Sequence, residues 1–255
     1  MIQRILGLPE LASQHGQAVD RLMWYIHLLM FVLFVGWLAY FLFALYRFRQ
    51  SRQERADAVG VRGHASSYVE GAVALAEGVL LIGVAIPMWA KIVDQPPRED
   101  QAVSVRVIAQ QFAWNMIYPG TNGLFGRQDM AFTTPENRFG RDQADPNGKD
   151  DFEVLNELHC VVHKPTLVSL TSMDVIHSFK VSPFRVTQDA IPGMRIPTWF
   201  VPTKEGKYQI TCAQLCGIGH AGMSQGLVIV ESQEKYDQWV REKTGAGSTG
   251  ASGFE

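Results

Sequence analysis
The chain has 255 residues and a formal net charge of -2, with 23 basic against 25 acidic side chains. That length allows one ordinary domain plus something else, and the near balance of charge speaks against a nucleic-acid binder, which would show a basic patch or stripe. A hydrophobic share of 47% is ordinary for a globular protein, so its distribution along the chain matters more than its total.

Residues 1–20 are mixed and polar and predict no element, so they stand as an outer N-terminal segment. Leu22 to Tyr46 is apolar, with His27 its one ionisable group apart from the tyrosines. Twenty-five residues span a hydrocarbon core with some tilt. A cleaved signal peptide has a shorter apolar core followed by small residues, whereas this run continues into Tyr46-Arg-Phe-Arg49. Residues 47–69 hold Arg47, Arg49, Arg52, Arg55 and Arg62 against Glu54 and Asp57, which marks the cytoplasmic side. A second apolar run, about 70–91, contains Glu77 and ends near Pro87 and Lys91. The expectation is a transmembrane hairpin over 21–93, with both ends and everything downstream on the outer face. Acids on a span are functional candidates because lipid penalises them. Glu70 lies at the cytoplasmic mouth, and Glu77, two helical turns further on, shares its face.

From Val103 the pattern changes to alternation and β-branched residues. Segments 103–108, 164–170, 207–211 and 226–230 read as short strands, and several of these separated by turns suggest an antiparallel sandwich or barrel within 94–232. Between the first strands lies an insertion, 119–151, rich in Gly, Asn, Asp and Pro, long for a plain connection. An ordered excursion against a neighbouring subunit is expected there. Cys160, within Leu158-His-Cys-Val-Val162, reads as a buried strand thiol. Residues 234–242 read as a short amphipathic helix, and the Gly/Ser-rich 245–255 as a disordered tail.

The densest chemistry is Cys212-Ala-Gln-Leu-Cys216-Gly-Ile-Gly-His220-Ala-Gly-Met223. Two thiols, an imidazole and a thioether within twelve residues favour a soft metal, copper above all. His177, in Asp174-Val-Ile-His-Ser-Phe179, is the natural second imidazole. A mononuclear blue-copper site would leave one Cys surplus, and a closed zinc tetrahedron would leave Met223 unused. A Cys212–Cys216 disulfide explains two residues of the set and not the others. Two bridging thiolates with two imidazoles and a thioether suit a pair of coppers.

This segment resembles the CuA loop of cytochrome c oxidase subunit II, with its C-x-E-x-C-G-x-x-H-x-x-M pattern and an earlier D-V-x-H-S. The resemblance implies a cupredoxin-like Greek-key sandwich behind the two-helix transmembrane hairpin. It also implies a dinuclear copper centre on His177, Cys212, Cys216, His220 and Met223, with the backbone carbonyl of Gln214 as sixth ligand. Most members carry Glu where this chain has Gln214, and that Glu also serves a magnesium ion beside subunit I, so the neutral amide departs from the magnesium site. Gln110-Gln-Phe-Ala-Trp114-Asn-Met-Ile-Tyr118 resembles the family's aromatic segment, which places Phe112, and after it Trp114, where electrons arrive from cytochrome c. Alignment on Ala85-Ile-Pro87 gives Glu70 the position at the mouth of a proton pathway. The turn Gln188-Asp-Ala-Ile-Pro-Gly193 makes Asp189 and Arg195 candidates for the contact with subunit I.

The implied function is that of subunit II of a haem-copper oxidase in a bacterial plasma membrane, with the copper domain on the periplasmic face. Electrons would pass from a c-type cytochrome to haem in subunit I, which holds haem and copper and couples oxygen reduction to proton pumping. No C-x-x-C-H motif occurs in these residues, which points to a separate cytochrome donor. From Asp94 onward nineteen acids face fifteen bases, a mild excess for steering a basic partner, and Asp174 is a possible docking acid. Rival readings are the CuA subunit of a nitric oxide reductase and a membrane-anchored copper-delivery protein. A nitrous oxide reductase module would be soluble, and a quinol oxidase subunit would lack the thiols.

Overall fold
The structure, a computed structural model, describes residues 2–52, 55, 59, 60 and 63–245. Glu54, Asp57 and Arg62 of the arginine-rich loop, and the tail 246–255, lie outside the described residues. The chain divides into two compact units, residues 1–5 with 18–95 and residues 6–17 with 96–255.

After a single turn, α1 (Ile2–Ile5), the first unit is built on two apolar helical runs. The first, α2 (Gly16–Arg47), has 32 residues, and the second runs from Ala65 to Asp94, 30 residues. Both exceed the roughly 20 residues that cross a hydrocarbon core, and both extend beyond the expected spans. Their most apolar stretches are exposed on all sides, which water would penalise and lipid would not. The second run comprises α3 (Ala65–Leu80), a π-helical turn at Leu81–Ala85 and α4 (Ile86–Asp94). Pro87 lacks the N–H that would bond to Gly83, and the wider π turn lets the helix continue past it. At the end of α2, the guanidinium groups of Arg49 and Arg52 lie 4.9 and 4.3 Å from the Tyr46 ring, and Arg52 also donates to its hydroxyl. These are amphipathic side chains suited to a membrane–water boundary.

The second unit is a sandwich of two five-stranded sheets. One has the order β3 (Phe152–Leu155), β2 (Ala113–Tyr118), β1 (Val103–Gln110), β5 (Thr166–Ser172), β8 (Ile196–Phe200). The other runs β4 (Glu157–Val161), β10 (Gly226–Glu231), β9 (Gly206–Cys212), β6 (His177–Val181), β7 (Val186–Ala190). The four sequence-read strands are present as β1, β5, β9 and β10. The expectation of an antiparallel sheet needs one correction: β1 pairs with β5, and β4 with β10, in parallel. Strands returning by long connections, as Greek-key crossing requires, can lie parallel to a neighbour.

Period-two burial shows which face each strand turns inward. Val103, Val105, Val107 and Ala109 of β1 meet Val168 and Leu170 of β5, while Val228 and Val230 of β10 come from the opposite sheet. Strand β2 is covered on both faces. Trp114, Met116 and Tyr118 enter the main core, and Ile117 joins Ile108, Phe139 and Phe125 in a smaller cluster outside the sheet. Insertion 119–151 therefore covers the outer face of its own sheet. It has no strand named above, and side-chain carboxylates satisfy its backbone instead: Asp145 accepts from the N–H of Arg127 and Asn147, Asp129 from Ala131, and Asp151 from Gly126.

The helix expected at 234–242 is present, and two docking contacts on the β unit had no sequence signal. Residues 6–17 fold onto the β unit, with Ala12 N–H donating to Pro183, Gln14 N–H to Val201 and the Ser13 hydroxyl to the Phe184 carbonyl. An ion pair between Glu10 and Lys204 reinforces the seam. The helix α5 (Gln233–Thr244), capped by Ser232 at its start and by Gly245 in the left-handed region, carries Trp239 onto the barrel wall. That indole stacks on His159 at 3.9 Å and meets Tyr118 and Phe152 edge-on at 5.0 and 5.3 Å. Trp239→Ala should remove the anchor of α5 and cost about 2–3 kcal/mol, below the full-core range because the ring is half-buried. A urea titration would show this as a lower midpoint with an unchanged slope.

Candidate metal centre
The two copper-loop segments meet because β6 and β9 pair antiparallel, with Phe179 opposite Cys212. That register puts His177, the first residue of β6, beside the loop that leaves β9. The loop then turns through a 3-10 segment, His220–Gln225, and enters β10. Glycines let it lie flat: Gly217 has φ +142°, and a Cβ on Gly219 would sit 2.2 Å from the Phe112 ring.

Around this loop the structure gathers all six predicted donors. His177, Cys212 and Cys216 are buried and have their ligand atoms within 4.8 Å of one another. The two Sγ atoms are 3.9 Å apart, and both cysteines are free thiols. Two sulfurs bonded to one tetrahedral ion at about 2.3 Å would be about 3.8 Å apart, so the pair is spaced to bind the same ion. His220 Nδ1 lies 3.4 Å from Cys216 Sγ, and Met223 Sδ lies 3.5 Å from Cys216 Sγ and 3.0 Å from His177 Nδ1. Cys212 Sγ is 4.0 Å from His177 Nδ1 and 3.0 Å from the Gln214 carbonyl oxygen. Soft sulfur and imidazole nitrogen dominate this set, which fits copper. Met223 has no exposed surface and points its sulfur into the ring of donors, so a zinc tetrahedron of Cys212, Cys216, His177 and His220 would not use everything placed there. The Gln214 side chain is exposed and neutral and offers no carboxylate to a second, harder ion.

Protonation is set by the surroundings. Burial, together with the neighbouring Cys212, pushes the Cys216 thiol up to about 11. A metal must therefore displace its proton. Cys160 in β4 is fully buried and its thiol is pushed far above the ordinary value, which makes it inert packing.

Three residues brace the donors. The Asp174 carboxylate lies 2.9 Å from His177 Nε2 and accepts the backbone N–H groups of Gln111 and Val175 at 2.7 Å each. Burial alone would raise this carboxyl, but these hydrogen bonds outweigh it and hold it below its usual range. Accepting from Nε2–H leaves Nδ1 as the nitrogen that faces the sulfurs. Gln111 also donates from Nε2 to the Cys216 carbonyl at 2.6 Å, so one residue of the β1–β2 turn ties both ligand segments together. Trp114 donates from Nε1 to the Met223 carbonyl at 3.0 Å and meets the His177 ring edge-on. The sequence marked Asp174 only as a docking acid and passed over Gln111. Its one signal was adjacency to Phe112, since the bond to Cys216 spans 105 residues.

The remaining predicted residues are dispersed. Phe112 is half-buried, its ring against the backbone of Gly217 and Gly219, whereas Trp114 is fully buried. Of the two aromatics, Phe112 alone reaches the surface. Asp189 is exposed on β7. Arg195 is exposed too, but its guanidinium donates to Gln128 of the insertion, 3.2 Å to the carbonyl and 3.3 Å to the side chain. Glu70 and Glu77 are exposed on α3, in the first unit.

Asp174→Ala should weaken copper binding about 10- to 100-fold through loss of the His177 orientation, while Asp174→Asn, whose amide oxygen still accepts from Nε2–H, should retain most of it. Competition against a chelator of known affinity checks this. Equal losses in the two variants would show that charge, not orientation, is what Asp174 provides.

A family model for cytochrome C oxidase subunit II, periplasmic domain, matches residues 103–232. The alternative cytochrome c oxidase subunit 2 of Bradyrhizobium diazoefficiens is 36% identical over 172 residues, 67% of this chain and 61% of that relative's length. The cytochrome c oxidase subunit 2 of Cereibacter sphaeroides is 29% identical over 213 residues, 80% of this chain and 69% of its own. Among solved structures, the periplasmic domain of subunit II of cytochrome oxidase from Bradyrhizobium japonicum is 28% identical, covering 59% of this chain and 97% of that one with a TM-score of 0.43.

Proposed function
Because the chain belongs to the cytochrome c oxidase subunit II family, whose members work within a respiratory oxidoreductase complex, we propose that it is the electron-accepting subunit of such a complex. The two apolar helices and the periplasmic-type domain make it a multi-pass protein of the inner membrane. The reading goes further: a dinuclear copper centre takes electrons from a c-type cytochrome and serves haem in a partner subunit, where oxygen is reduced and protons are pumped.

The observation that carries it is the convergence of six donor atoms, from His177, Cys212, Gln214, Cys216, His220 and Met223, with the two thiols spaced to bind the same ion. Bound there, a copper pair would supply a one-electron redox couple. His177, Cys212, Cys216, His220, Met223 and the Gln214 carbonyl would hold it. The chain's share of the chemistry is to hold these groups still. Asp174 fixes the His177 ring, Gln111 fixes the carbonyl of Cys216, and Trp114 fixes that of Met223. Donors that cannot relax keep the cost of a charge change low, which is what rapid electron transfer needs. His220 is half-exposed, and Phe112 lies over the loop at the surface, which supports an arrival point for electrons on this side.

The full chain, loaded with copper in detergent, should hold two coppers sharing one unpaired electron and give a seven-line hyperfine pattern. One copper with a four-line pattern would refute the dinuclear reading. Glu70 is assigned to the mouth of a proton pathway on the resemblance of its helix. In the assembled complex Glu70→Gln should slow the proton uptake linked to reduction of the oxygen site, and unchanged uptake would remove that role.

A further inference from the structure
An open cavity of about 430 Å³ lies between the insertion and the β5 and β8 edge of the sandwich. Its wall includes Met130 from the insertion, Met173 after β5 and Met194 from the turn before β8. The β unit has five methionines. Met116 and Met223 are fully buried, the first in the core and the second among the metal donors. The other three all line this cavity, and they are 83%, 44% and 51% exposed. Packing within the β unit leaves these thioethers open, and three from separate segments on one cavity point to a shared ligand.

We propose that this cavity is a second metal site, which takes one Cu(I) ion on the thioether sulfurs of Met130, Met173 and Met194. Thioethers select Cu(I) over hard or borderline dications. Methionine has three rotatable bonds and adapts its reach, so side chains from three loops can converge on one ion. The wall also carries Arg138 and Arg195 against the single carboxylate of Asp129, and that net positive charge opposes a dication more strongly than a monovalent ion. Each is held by its own acceptor, Arg138 by Glu153 at 2.6 Å and Arg195 by Gln128, so neither is drawn into the cavity by lack of a partner. The position suits a holding site for copper on its way inward. Met173 directly precedes Asp174, whose carboxylate lies 2.9 Å from the ring of His177. The thioethers need lose no proton to bind, unlike the thiols of the six-donor centre.

The site does not depend on the dinuclear reading, and the test separates the two. The full chain carrying Cys212→Ser and Cys216→Ser, kept anaerobic in detergent, is titrated with Cu(I) against bicinchoninate. It should take up one Cu(I), with shifts of the methyl resonances of Met130, Met173 and Met194 and none at Met116. Adding Met130→Leu, Met173→Leu and Met194→Leu should weaken uptake by about tenfold or more. Leucine preserves volume at these exposed positions. Met130→Leu alone, at the most exposed of the three, should produce a smaller loss of the same kind and guards against misfolding of the triple variant. Unchanged affinity in the leucine variants would mean that His177, His220 and Met223 hold the ion, and would overturn the proposal. Absence of Cu(I) uptake by the chain without the two thiols would overturn it as well.

Discussion
The register between β6 and β9 is the constraint on which the rest of the centre depends. With Phe179 opposite Cys212, the ring of His177 faces the loop that carries both thiols. Side chains alternate across a strand, so a slip of one residue would turn His177 to the other face and pull its ring nitrogen away from the two thiols. Burial of Phe179, Val181 and Ile210 in one core is what specifies that register. The apolar sandwich therefore does more than stabilise the domain, because it chooses which two distant segments meet.

Around that register a layer of polar contacts removes the remaining freedom. Gln111 is the hinge pin of this layer: its backbone binds Asp174 and its side chain binds the Cys216 carbonyl. The buried imidazole of His177 would be costly left unpaired, and Asp174, itself exposed and held by Gln111, pairs with it across the loops. Rigidity of the donors and satisfaction of the backbone are thus achieved by the same bonds. Glycines at 217 and 219 complete the arrangement by letting Phe112 close against the loop, where any side chain would collide with the ring.

The insertion shows a different relation between pattern and structure. Its composition read as an ordered excursion against a neighbouring subunit; the structure shows its inner side bound to its own sheet through Phe125 and Phe139, with Arg195 held on Gln128, while Leu124 and Met130 stay exposed. Aspartates standing in for backbone partners leave no periodicity to read. Residues 6–17 were silent for a similar reason, since a few extended residues bonded to the edges of a distant domain carry no repeat of their own.

Local pattern determined a good deal of this protein. Two apolar runs long enough to cross a membrane, alternating strands, a short amphipathic helix at 234–242 and the ligand spacing from Cys212 to Met223 are all short-range signals, written within one element each. The family resemblance rests on those same short stretches. Tertiary structure alone decided the parallel pairings, the role of Asp174 as a brace for His177, the bond from Gln111 to Cys216 and the burial of Trp114 beneath the loop. It also decided which methionines share a cavity. Asp174 and His177 are only three residues apart, but Gln111, which holds the Asp174 carboxylate, lies 63 residues away; the others join residues tens of positions apart, and separation in sequence carries no trace of proximity until the core has packed.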